Sequence, residues 1–143
     1  IIREGVCARL NELKNTVLDD FQYISNELLV RNRSILDSMT KMSDSCARIS
    51  RTLIKSATHC GCISICGEKQ HVSGVSGIDE MKQRMKSQVK GELCDNCRDL
   101  LEKDMGRNLF YVAAICNALD LNLYDIVLGE SDRLKLLGKY NLR

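Results

Sequence analysis

Proline is missing from this chain altogether, tryptophan is missing too, and aromatic residues make up only 4% of it. Without proline the strongest helix breaker is gone, so breaks must come from glycine or from a change in the phase of the pattern. With so few rings, a core has to be built from leucine, isoleucine, valine and methionine. That is the composition of a helical bundle and not of a sheet sandwich. No charge of one sign dominates: 21 lysines and arginines face 19 aspartates and glutamates. The net charge of +2 makes no strong case for nucleic acid or an anionic membrane. No apolar run nears membrane-spanning length and no signal-peptide pattern opens the chain. The compartment expected on these terms is the cytosol, where thiols stay reduced and clustered ones commonly hold metal.

What is present in excess is sulfur. Five of the eight cysteines fall in two short pieces, THCGCISIC at 58–66 and ELCDNC at 92–97. Cys94 and Cys97 form a Cys-xx-Cys pair entering a helix, where the first turn points both sulfurs to one side. The free N–H groups there favour thiolate. Cys60 and Cys62 can supply a second pair, giving the four thiolates that zinc takes tetrahedrally at about 2.3 Å. Cys66 could substitute for Cys60, and His59 or His71 for a thiol. The glycine-rich stretch between the pieces has little apolar surface with which to fix itself, so a structural metal would supply what the core cannot. The same thiols could carry an iron–sulfur cluster or a redox-active disulfide, or be small apolar fillers. The filler reading suits Cys7, Cys46 and Cys116, which sit at seam positions of helix-like sequence.

The rest of the chain is helical in pattern, and 143 residues suggest a single domain of residues 1–143. In 1–58, apolar residues recur at Val6, Leu10, Leu13, Val17, Phe21, Ile24 and Leu28. They continue at Ile35, Met39, Met42, Cys46, Ile49 and Leu53, where they keep a strict heptad. The phase falters at Arg31-Asn32-Arg33, and Ser34 with Asp37 reads as a capping box. Two helices or one long helix fit this; the lack of a glycine for a tight hairpin favours one long or kinked helix. A second chain would then be needed to cover its stripe. Residues 59–91 read as a loop over 61–77 with a short strand pair, then a polar, basic helix over 78–90. In 92–143 the pattern returns as Cys97, Leu101, Met105, Leu109, Val112, Cys116 and Leu119. It breaks at Asp120-Leu121-Asn122, and resumes as a last helix capped by Asn122 and stopped at Gly138. The expected fold is all-α: a long N-terminal helix or helix pair plus C-terminal helices in an oligomeric bundle, with a cysteine-rich metal-binding loop.

The run from Leu101 to Ala114, LEKDMGRNLFYVAA, together with Asn117-Ala118-Leu119-Asp120-Leu121-Asn122-Leu123-Tyr124-Asp125 and the closing Lys139-Tyr140, resembles the second half of the MazG-like, all-α nucleoside triphosphate pyrophosphohydrolases. The resemblance runs from Leu100 to the C-terminus. It implies an all-α dimer or tetramer that splits nucleoside triphosphates to monophosphate and pyrophosphate. Mg²⁺ would be held by an E-xx-E pair on one helix and an E-xx-D pair on the next. Here Asp104 stands for the glutamate of the second pair and Arg107 for its aspartate, and no E-xx-E occurs. An arginine cannot ligate a cation, so the resemblance points to a kept scaffold with catalysis lost. A divergent enzyme would have to use Asp104, Glu102 and either Asp99 or Glu92. Asp104, Arg107 and Asn108 could grip a phosphate or form a buried cluster fixing helix register. Asp99 is also placed to pair with Lys103 on an outer face.

Two basic runs, Lys82-Arg84-Lys86-Lys90 and Arg48-Arg51-Lys55, could meet a phosphate backbone but lack stacking aromatics, so each reads first as a solvated face. GVSGID lacks the lysine of a phosphate loop. The expectation is a cytosolic homo-oligomer stapled by zinc on Cys60, Cys62, Cys94 and Cys97, serving as a binding or scaffold protein. The rivals are an Mg²⁺-dependent nucleotide pyrophosphohydrolase and a zinc-dependent nucleic-acid binder.

Overall fold

In a computed structural model the described residues are 17–31 and 33–140, with the backbone alone for 138–140. Cys7 and the apolar positions before Val17 lie outside them. Helix α1 covers 17–28, α2 covers Ile35–Lys55 and continues as a wider π-helical turn over Ser56–Cys60. A short strand β1 (Ile63–Ile65), helix α3 (Ile78–Arg84) and strand β2 (Val89–Gly91) follow. The long α4 (Asp95–Ala118) and α5 (Leu123–Tyr140) close the chain. Mostly helical, with one two-stranded sheet, the architecture matches the expected class.

Among the described residues the N-terminal segment holds two helices, not one. After α1 the Arg33 guanidinium donates to the Leu29 carbonyl at 2.9 Å, satisfying an end that would otherwise call for glycine. Ser34 is extended and begins α2 where the pattern placed a cap, but its side chain makes no capping bond. The two helices are not in line. Asn108 of α4 reaches the level of Met42–Cys46 on α2, so Ile35 falls about 10–16 Å further on, near the C-terminal end of α4. Gln22 of α1 bonds Asn117 at that same end, so the chain has changed direction between them.

Which residues face inward is the larger correction. On α2 the buried row is Ser38, Ser45 and Ser56, with Thr52 half-buried, and the heptad residues Met39, Cys46 and Leu53 stand exposed one step round. Cys46 is therefore not core. Small side chains on the contact row let α2 lie close along α4. On α1, likewise, Ser25 is buried, as is Leu29 just past its end, while Val17, Ile24 and Leu28 are exposed. The true apolar core is a small one at the far end of α4, where Ala113, Cys116 and Leu123 are buried against Leu18, Phe21 and Val112.

That end is tied by polar bonds as well. Gln22 donates to the Asn117 side chain (2.9 Å) and to the Leu121 carbonyl (2.7 Å), and accepts from the Leu123 N–H (2.8 Å). Asn122 caps α5 as expected, accepting from Asp125 N–H at 3.0 Å. The helix then runs through Gly138 to Tyr140; glycine costs a helix about 1 kcal/mol, which does not force a stop. The basic helix expected over 78–90 ends at Arg84, and its last residues extend to form β2. No single helix among the described residues is long and apolar enough to cross a membrane.

Candidate metal centre

The strand pair explains how two cysteine pairs 34 residues apart come together. β1 and β2 run antiparallel with Ile63 opposite Gly91 and Ile65 opposite Val89. The residues just before β1 and just after β2 must therefore emerge side by side, and these carry Cys60, Cys62 and Cys94. Two glycines permit it. Gly61 is left-handed (φ 74°) and turns the chain between Cys60 and Cys62 as the helical segment ends. Gly91 has φ 85°, and a Cβ there would lie 2.7 Å from the Cys62 carbonyl oxygen. Gly91 is a requirement that the sequence reading passed over; its position three residues before Cys94 was the available signal.

Cys94 is the extended N-cap of α4, and Cys97 falls in the first turn, buried against the ladder end. The four ligand atoms of Cys60, Cys62, Cys94 and Cys97 all lie within 4.8 Å of one another, with Cys60 and Cys94 sulfurs 3.7 Å apart. Four sulfurs at about 2.3 Å from one ion in a tetrahedron stand about 3.8 Å apart, so the quartet has the size of a metal cage. Cys62 also faces the carbonyl oxygen of the buried Ser56 at 3.6 Å. The structure thus brings these four thiols together, and they could hold a metal ion. Cys66, the possible substitute, lies outside the quartet beyond β1, where its N–H bonds the Gln88 carbonyl. His59 and His71 are outside it as well.

The thiols are electrically unequal. The Cys97 N–H and side chain, and the neighbouring Cys60 sulfur, draw Cys94 down to about 7. Hydrogen bonding with Cys97, and then with Cys94 and Cys62, pushes Cys60 up to about 12. At Cys97 the Ser56 hydroxyl pulls downward, as does Cys60, but burial and hydrogen bonding with Cys94 and Cys62 outweigh them and the group is raised. Cys94 is the thiolate that forms first, with the helix N-terminus behind it. Cys116, buried in the distal core, is raised by desolvation.

The chain matches no family model, no curated protein and no solved structure.

The acidic residues do not assemble as the quartet does. Asp104 is 15% exposed, accepts the Thr52 hydroxyl at 2.7 Å and stands 3.6 Å from the Arg107 guanidinium. Glu102, two residues earlier, points to another side of α4 and is exposed. Neither belongs to any group of three or more metal-ligating side chains among the described residues. Asn108 donates to the Ser45 hydroxyl at 2.8 Å and to the Cys46 sulfur at 3.2 Å. Asp104 and Asn108 therefore tie α4 to α2, the register-fixing arrangement of the two foreseen for them. Asp99 pairs with Lys103 at 2.7 Å on the outer face.

The basic runs line grooves. Arg48, Arg51 and Lys55 border a groove of about 520 Å³ beside Asp104. Lys69, Arg84, Lys86 and Lys90 border one of about 800 Å³ next to Cys66 and His71.

Proposed function

We propose that this chain is a zinc-stapled helical binding or scaffold protein of the cytosol without normal catalysis, its second half a MazG-like scaffold. The observation that carries the reading is the thiol quartet: two pairs from distant segments, at tetrahedral spacing. Zinc suits four thiolates with no open position, which is the signature of structural and not catalytic use. Bound there, the ion holds the end of α2 against the start of α4 across a loop that could not hold itself. The argument against catalysis is that Asp104 is engaged by Thr52 and Arg107, and it belongs to no group of three or more metal-ligating side chains among the described residues.

Elemental analysis of protein purified without added metal tests the staple. One zinc per chain is expected, lost on Cys94→Ser; iron with visible colour assigns the thiols to a cluster, and no metal removes the reading. The groove beside Asp104 is the observation that favours an Mg²⁺-dependent pyrophosphohydrolase as a second reading. Release of pyrophosphate from nucleoside triphosphates with Mg²⁺, abolished by Asp104→Ala, would replace the scaffold with that enzyme.

A further inference from the structure

The α2–α4 layer has two unlike sides. Taking the contact row Ser38, Ser45 and Thr52 as the centre of α2, Lys41, Arg48 and Lys55 fall on one flank. Met39, Met42, Cys46, Ile49 and Leu53 fall on the other. On α4, Leu101, Met105, Leu109 and Val112 lie on the matching flank, and Asn108 touching Cys46 sets the two in register. The result is a two-helix apolar face on which Met39, Leu53, Met105 and Leu109 are 38–52% exposed.

A second uncovered stripe lies on α5. Leu123, Ile126, Val127, Leu134 and Leu137 share one side of that helix, around Glu130, which pairs with Arg133 at 2.7 Å. Leu123 is buried at the root, and the others are 42–58% exposed. Both surfaces span 15 residues, Met39 to Leu53 and Leu123 to Leu137, or about 21 Å of helix. Yet α5 cannot serve its own chain's face. It leaves α4 at 108°, and that corner is pinned by Gln22 on both sides of Asn122 and by Asn122 to Asp19 at 3.3 Å.

We propose that a second copy of the chain covers this face, each protomer laying its α5 stripe on the α2–α4 face of its partner in a two-fold exchange. One chain carries both complementary surfaces, equal in length, and a two-fold axis satisfies both at once. The area fits. The chain exposes 11391 Å², whereas a compact monomer of 16.1 kDa exposes about 7,400 Å². Granting the residues outside the described set an extended chain's full exposure, about 3,300 Å², the remainder still exceeds a compact chain of its size by roughly 1,500 Å². A standard interface takes about 800 Å² per partner.

Light scattering on the full chain tests this, with two variants. One carries Leu134→Lys and Leu137→Lys on the arm; the other carries Met105→Glu and Leu109→Glu on the face. Wild type is expected at twice the 16.1 kDa chain mass, and each variant alone at the single mass. An equal mixture of the two should return to the double mass, because one native contact and one charge-paired contact form. That recovery also shows that both variants are folded. A monomeric wild type overturns the proposal, as does a mixture that stays monomeric. An arm variant that remains dimeric overturns it in favour of face-to-face pairing, and a face variant that remains dimeric in favour of arm-to-arm pairing.

Discussion

The two ends of the α2–α4 pair are closed by opposite means. At the end where α4 stops, Ala113, Cys116 and Leu123 are buried under Leu18 and Phe21, and Gln22 stitches three polar bonds across the corner. At the end where α4 starts, no residue between Ile63 and Cys97 is buried, and four thiols converge instead. The first end draws on apolar area. The second buries only Ile63 and Cys97, beside four thiols that could hold an ion and two glycines that let strands and sulfurs meet. The lesson is local: a chain with a thin core can hold one part by burial and another by coordination, and the two should fail independently.

The sharpest way to break the pairing is to remove a ligand. Cys60→Ser, or chelation, should abolish metal binding, a loss on the order of 10 kcal/mol of apparent binding energy for a thiolate zinc site. Proteolysis should then cut within 61–93, while hydrogen exchange at Ala113–Cys116 stays slow. Loss of protection at both ends together would show that they are one cooperative unit.

Next in size is Gly91→Ala. A left-handed alanine with its Cβ against the Cys62 carbonyl should cost about 3 kcal/mol in strain and displacement. It should lower metal affinity about a hundredfold by competition titration, whereas Gly106→Ala, whose Cβ would meet nothing within 4 Å, should leave affinity unchanged. The opposite end is probed by Gln22→Ala. Losing its three bonds should cost about 2 kcal/mol in a denaturation midpoint, with metal affinity unmoved.

The smallest effect is in pH. Cys94 is depressed from 9.0 to about 7, so in the metal-free chain it stabilises the fold fully above 9, and that contribution is lost as pH falls through about 7. Cys60, raised to about 12, contributes below 9 and loses its share only towards 12. Between about pH 8 and 6 the Cys94 contribution alone changes, so the melting temperature of metal-free protein should drop slightly on acidification. Cys94→Ser should remove that slope.

The thiol quartet was legible because spacing alone carries it: Cys-xx-Cys at a helix start needs a second pair, and Cys60 and Cys62 stand where a helix ends. The partner strand was not legible, since Gln88-Val89-Lys90 is polar and basic and continues a helical pattern until the ladder with β1 claims it. The break after α1 was half legible: the phase slips at Arg31-Asn32-Arg33, but Arg33, a side chain, does there what glycine does elsewhere. The apolar heptad of α2 was legible as a stripe, but the row that meets α4 was not. Periodicity reports that a helix has an apolar side, not which neighbour lies on it, and Ser38, Ser45 and Thr52 supply the close-packed row through their size. Cys46 was misplaced by the same step. The bonds of Thr52 to Asp104 and of Asn108 to Ser45 join positions 52 and 63 residues apart and leave no mark in a local pattern.

The π-helical turn over Ser56–Cys60 holds one residue more than an α-helical turn would. It therefore behaves as an adjustable offset between a long rod and the first sulfur. Winding the same five residues as an ordinary α-helix, with none deleted, would swing Cys60 about 100° around the axis. Every ligand would still be present in the chain, but the cage would face the wrong way.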